Sequence, residues 1–259
     1  MYFESHAHYD DGRFSKDIHK VLAECKNAGV EYLINIGADL ESSKKSVKFA
    51  AEYDFIYASV GVHPHDAKTL NENSFAELKK CAAAAKVVAI GEIGLDFHYD
   101  HSPRDAQRKW FVRQMELAKE LSLPVVIHSR EAIAETFEIV KDARLSERSG
   151  KGAGVIHCYS GSADMAQKFV NLGYFIGIAG PVTYKNARKL VETVEKIPIE
   201  RILIETDCPY LSPEPFRGKR NDSQNLRYIC EKISKIKQIH HEKAAKITLE
   251  NGKTFFDIK

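Results

Sequence analysis

Apolar positions along this chain follow two alternating rhythms. Short runs that are mostly apolar fall at 31–36, 56–60, 86–90, 124–127, 154–156, 174–178 and 201–205, and each predicts a strand, as does the stretch 3–8 ahead of them. Between them apolar residues return every three or four positions, which predicts helices over 15–28, 42–53, 75–85, 103–121, 133–143, 163–172 and 185–196, with two more inside 225–256. Gly29 and Gly173 stand just past the first and sixth of these helices, where a residue without Cβ ends a helix at least cost.

Strands that are apolar on both sides have to be covered on both faces, which is the condition of a parallel sheet wrapped in helices. Eight strand-then-helix units therefore predict an α/β chain folded as a (β/α)8 TIM-type barrel. No change of composition and no Gly/Ser-rich linker interrupts them, so one domain spanning residues 1–259 is expected.

In such a barrel the C-terminal ends of the strands form one rim, and residues distant in sequence meet there. His6 and His8 close the first strand, Glu92 follows the fourth, His128 the fifth, His157 the sixth and Asp207 the eighth. His6 and His8, two apart, project from one face of an extended strand. A lone pair of histidines near a terminus is usually just two surface residues, and one histidine ending an apolar strand is as readily a hydrogen-bonded core residue. Four histidines and two carboxylates at one rim are different, because burying them without a cation leaves charges and donors unpaired. They exceed the ligands of one tetrahedral ion and suit two divalent ions sharing a carboxylate, for which Glu92, in the middle of the set, is the natural bridge. Nitrogen and oxygen donors without sulfur fit Mg²⁺, Mn²⁺ or Zn²⁺ and do not choose among them. Cys158 and Cys208 directly follow His157 and Asp207, and strand alternation turns them away from the ions as small fillers.

Composition narrows the partner. Hydrophobic content of 44% and charged content of 29% are ordinary for a soluble globular protein, and a net charge of +2 excludes a polycation drawn bodily to nucleic acid or membrane. Anion recognition then needs a local patch, and Arg217-Gly218-Lys219-Arg220, after the eighth strand, is one. Arg130, just past His128, is similarly placed. The five cysteines are scattered without a CxxC pair, which argues for free thiols in a reducing compartment. No apolar run approaches the ~18 residues of a membrane helix, and the opening Met-Tyr-Phe-Glu has no basic-then-apolar leader. The expectation is a cytoplasmic protein that uses no membrane and no obligate protein partner.

The segments HAH, GVHPH, GEIGLDF, VIHSRE, VIHCYSG and ETDCPYLSPEPFRGKRN, in this order, resemble the TatD family of metal-dependent deoxyribonucleases, within the wider amidohydrolase-like barrels, over essentially the whole chain. The resemblance implies one metal held by His6, His8, Glu92 and Asp207 and a second held by Glu92, His128 and His157. It also implies hydrolysis of DNA phosphodiesters, as a 3′ to 5′ exonuclease on single strands, with DNA or RNA as substrate. Two departures touch the surroundings of the ligands and no ligand itself. Glu4 stands where the family usually has Asp, and Asp222-Ser223 where Glu-Pro commonly follows the basic run.

Phosphodiester hydrolysis needs an activated water, charge on the non-bridging oxygens and help for the leaving oxygen, and two neighbouring ions can supply all three. Asp207 is assigned to orient or deprotonate the water, with Glu92 holding the ions and His63, after the third strand, contacting the phosphate or leaving oxygen. Arg130, Arg217, Lys219 and Arg220 would hold the substrate backbone, while Tyr159 and Phe216 either stack on bases or pack. The alternative is an amide or lactone hydrolase on the same scaffold, since fold and ligands do not fix substrate. Many enzymes of that kind bridge their metals with a carboxylated lysine, the place Glu92 takes here, and the basic loop favours an anionic polymer. A protein that binds nucleic acid without cutting it would not require the full ligand set.

Overall fold

Every one of the apolar runs becomes a strand, and among the described residues the strands hydrogen-bond as one eight-stranded sheet in the order β1-β2-β3-β4-β5-β6-β7-β8. The computed structural model describes residues 1–145 and 151–259. The strands are β1 (Tyr2–Ala7), β2 (Val30–Ile36), β3 (Ile56–Val60), β4 (Val87–Asp96), β5 (Val125–Arg130), β6 (Gly154–Ile156), β7 (Tyr174–Ile178) and β8 (Ile202–Ile204). Between them run α1 (Ile18–Asn27), α2 (Leu40–Glu52), α3 (Glu72–Ala82), α4 (Arg104–Leu121), α5 (Ile133–Ala143), α6 (Ala163–Asn171) and α7 (Arg188–Lys196), and α8 (Leu226–Lys237) and α9 (His241–Phe256) close the chain. Pairing is parallel, and an isolated parallel bridge from Ala7 to Cys208 returns β1 to the segment after β8. The fold is the expected (β/α)8 barrel of the TIM type.

Three elements differ usefully from their predicted bounds. Apolar spacing starts α2 and α3 late, because both open on reciprocal caps: the side chains of Asp39 and Asn71 accept N–H groups of the first turn while Ser42 and Ser74 reach back. β4 does not stop at Ile90. It runs ten residues and takes in the whole Gly91–Asp96 stretch. Its pairing with β5 slips between Ile90 and Ile93, so that Ile90 faces Val125 and Ile93 faces Ile127. Such a bulge re-aims the side chains of the strand that carries it, here that of Glu92. Gly94 allows the strands this close an approach, since a Cβ there would collide with the carbonyl oxygen of His128.

The chain divides into two compact units, Met1–Ile34 with Cys158–Asn171 and Phe175–Lys259, and Asn35–His157 with Leu172–Tyr174. In the first, Phe3 of β1 stacks on Phe256 of α9 at 5.5 Å between ring centroids, and Phe175 of β7 tilts against Phe255 at 5.2 Å. In the second, Ile90, Ile93 and Leu95 of β4 and Val125, Val126 and Ile127 of β5 are fully buried. Two buried glutamines of α4 fasten its loops by paired hydrogen bonds. Gln114 holds Val62 by both N–H and carbonyl, and Gln107 does the same for Asp96. Each satisfies backbone groups that a loop under a helix would leave unpaired.

Candidate metal centre

The first unit brings His6, His8 and Asp207 together. His6 and His8 approach each other by their Nε2 atoms at 3.1 Å, and Asp207 Oδ1 lies 3.7 Å from the first and 3.5 Å from the second. Asp207 gets there on a left-handed backbone, φ +57, after β8 has ended, with its N–H donating to the carbonyl of His6 at 2.9 Å. Strained residues of this sort are held by their surroundings and gather at functional sites. Glu4 is part of what holds this one. Its carboxyl is fully buried and accepts the hydroxyl and N–H of Thr206, at 2.6 and 2.8 Å, and the N–H of His6 at 3.3 Å. Burial pushes the Glu4 carboxyl up to about 8 against those hydrogen bonds. Glu205, two residues before Asp207, is also buried, accepting from Ser5 Oγ at 3.2 Å and Cys158 N–H at 2.5 Å.

The second unit gathers Glu92, His128, His157 and His63. His128 Nδ1 lies 2.9 Å, His157 Nε2 3.3 Å and His63 Nε2 3.6 Å from the same oxygen, Glu92 Oε1. On its other side His128 Nε2 donates to Asp96 Oδ2 at 3.0 Å, and His65 Nε2 donates to that oxygen at 2.9 Å. Burial pulls the His128 pKa down, but the Asp96 and Glu92 carboxylates outweigh it and hold the imidazole above its usual value. Burial of Asp96 is likewise outweighed, by the hydrogen bonds from His128 and the Tyr99 N–H, and its pKa falls below the usual carboxylate range. His63 goes the other way: burial, with His128 beside it, keeps it neutral, and its Nδ1 accepts the N–H of His65, which leaves the proton on Nε2.

These groups fit divalent ions. Nitrogen and oxygen ligands bound at about 2.1 Å around a tetrahedral ion stand about 3.4 Å from one another. The separations of 3.1 to 3.7 Å in the first group bracket that spacing, and those of 2.9 and 3.3 Å from Glu92 to His128 and His157 fall just short of it. His63, Glu92 and His128 also offer ligand atoms within 4.8 Å of one another. Around His128 the protein already stabilises positive charge from two sides, as a cation site requires.

Asp96 and Glu205 are the polar residues that the sequence reading passed over. Both carried a signal, because Asp96 lies two and four positions from Gly94 and Glu92 on a strand and Glu205 two before Asp207, which is same-face spacing. The basic residues divide. Arg130 is exposed, its guanidinium 4.8 Å from the ring centroid of Tyr99. Arg217 lies over Tyr184 at 4.3 Å and Lys219 Nζ is 5.7 Å from the Phe216 ring. Arg220 makes a two-pronged ion pair with Asp17, at 2.9 and 2.7 Å, and donates to the carbonyl of Arg13. Tyr159 is buried with its hydroxyl donating to Ser162, so it packs, and Phe216 meets Tyr228 edge-on. All five cysteines are free thiols. Among the described residues no helix is long and apolar enough to cross a membrane.

A barrel with histidine and carboxylate groups able to take metal is the architecture of the metal-dependent hydrolases. The sequence profile described as TatD related DNase matches residues 3–257, and the chain belongs to that family. It is 42% identical over 258 residues, all of each chain, to "Uncharacterized metal-dependent hydrolase YabD" of Bacillus subtilis. It is 35% identical over 252 residues, 95% of each chain, to the "3'-5' ssDNA/RNA exonuclease TatD" of Edwardsiella piscicida. The crystal structure of YJJV, a TatD homolog from Escherichia coli K12, superposes with a TM-score of 0.93 at 31% identity, covering 100% of this chain and 98% of that one.

Proposed function

We propose that this metal-dependent hydrolase cleaves phosphodiester bonds of single-stranded DNA or RNA, releasing nucleotides from the 3′ end. The observation that carries the reading is the pair of ligand groups, nitrogen and oxygen only, each at ion spacing in its own compact unit. The relative named as a 3′–5′ exonuclease, matched along nearly the whole chain, supports the substrate class. One divalent ion would sit with His6, His8 and Asp207, and a second with Glu92, His128 and His157. Bound there, Mg²⁺, Mn²⁺ or Zn²⁺ supplies an acidified water and positive charge for the non-bridging oxygens.

The chain's own groups do the rest. Asp207 orients the attacking water and accepts its proton, in a position only 14% exposed, where few other waters compete. His63, neutral with its proton on Nε2, donates a hydrogen bond to the phosphate or the leaving oxygen. Arg217 and Lys219, exposed after β8, attract the anionic backbone, as does Arg130 at the end of β5.

The test restores Mg²⁺, Mn²⁺ or Zn²⁺ singly to metal-stripped enzyme and offers end-labelled single- and double-stranded DNA, RNA, and small amide and lactone substrates. The expected outcome is no cleavage without metal and mononucleotide products from the 3′ end of single strands with it. Turnover of an amide or lactone with no nucleotide release would replace this reading by the amidohydrolase one.

A further inference from the structure

Tyr210 and Leu211 come three and four residues after Asp207, and they stand in solvent, 47% and 38% exposed. Their segment is nevertheless tightly held. Tyr210 N–H donates to the carbonyl of Asp207 at 2.9 Å, and the amide of buried Asn221 donates to the carbonyls of Thr206 and Tyr210 at 2.9 and 2.7 Å. The Tyr210 hydroxyl donates to Asp11 Oδ2 at 3.2 Å. Arg13 lies over the ring, 4.1 Å from its centroid, its guanidinium held flat by Asp11 through bonds of 2.9 and 2.7 Å. The ring stands beside that of His8, 6.3 Å between centroids, at an interplanar angle of 79°.

Tyr210 is thus fixed at its backbone, its hydroxyl and one ring face, yet half of it remains open beside a ligand histidine. A rigid aromatic ring held in water loses no further freedom when a second ring settles on it, the condition for an effective stacking surface. Tyr99 is as exposed, at 48%, but its ring already carries two neighbours, with Arg130 over it and His101 stacked along it at 14°.

Resting on the nuclease reading above, we propose that the open face of Tyr210 is a stacking site for an unpaired nucleobase of the substrate, the one flanking the phosphodiester at the His6–His8–Asp207 group. Leu211 extends the surface under the base edge. Such a site selects single strands, because a base in a duplex already has neighbours on both faces and must leave the stack to reach the ring.

The test compares metal-loaded wild-type, Tyr210→Ala, Tyr210→Phe and Tyr210→Trp enzymes on end-labelled oligothymidylate and on the same strand made abasic at both ends, with metal content measured for each. Stacking raises KM roughly 5- to 100-fold for the alanine variant, leaves it near wild type for phenylalanine and tryptophan, and makes all four alike on the abasic strand. An unchanged KM for Tyr210→Ala on oligothymidylate, an equal loss on the abasic strand, or metal lost from that variant overturns the stacking site while leaving the nuclease reading intact. A wild-type enzyme that neither binds nor cuts any single strand overturns both.

Discussion

The two ligand groups are built by different means. In the first unit, closeness in sequence does most of the work: His6 near the end of β1 and His8 just past it meet by their Nε2 atoms, and a single carboxylate, Asp207, is swung against them by its own left-handed backbone, which Glu4 and Thr206 help to keep in place. In the second, nothing is local. Glu92 is delivered by a strand bulge, and His128 from the next strand is gripped on both ring nitrogens, by Glu92 and by Asp96. The first group leaves its imidazoles facing each other and a carboxylate, at ion distance. The second sets an imidazole between two carboxylates, which together raise its pKa against the effect of burial. The difference teaches that the second group owes its electrostatics to an accessory carboxylate, and the first owes its geometry to backbone strain.

The sharpest way to break this comparison is to remove one histidine from each group. His6→Ala and His128→Ala are both expected to lower hydrolysis by at least ~10³-fold, since each withdraws several kcal/mol of charge stabilisation. Metal analysis separates them: each variant should retain the ion of the untouched group. Loss of every ion from either variant would mean that the groups do not bind independently.

The accessory carboxylate comes next. If Asp96 fixes the ring and tautomer of His128, then Asp96→Asn, which keeps an acceptor but removes the charge, should weaken metal binding at the second group by ~10- to 100-fold. The first group, His6, His8 and Asp207, should bind as before. Metal titration followed by calorimetry reads both, and an unchanged affinity at the second group would reduce Asp96 to a loop anchor for Tyr99 and His98, whose N–H groups it also accepts.

How much of this could be read from sequence follows from the same contrast. The barrel was legible because apolar runs of strand length alternate with helical spacing, and the rim histidines because each ends such a run. Glu92 was found as a residue after a strand, although it lies within one. Gly91 and Glu92 interrupt the apolar pattern that marks β4, and a bulge leaves no hydrophobic signature. Asp96 and Glu205 were missed because acids near a strand end read as solvated until their partners are known. Tyr210 carries no sequence signal of its own, since its exposure and the Arg13 behind it come only with tertiary structure. Nor does sequence separate Arg217 from Arg220, three positions apart in one basic run. What separates them is Asp17, which comes from the start of α1.

That last distinction gives the smallest expected effect. Arg217 is exposed and lies on an aromatic ring with its charge available, whereas Arg220 is neutralised by the two oxygens of Asp17. A cation that contacts a phosphate releases a counterion, so removing it lowers the slope of log affinity against log salt by about one unit. Arg217→Ala should therefore flatten the salt dependence of oligonucleotide binding, and Arg220→Ala should leave the slope unchanged. The second substitution acts on the protein instead, lowering the melting temperature by the small amount that an exposed ion pair contributes. Equal slopes for all three proteins would place the substrate backbone away from this loop, and an equal flattening by both substitutions would mean that Arg220 exchanges Asp17 for phosphate when the strand binds.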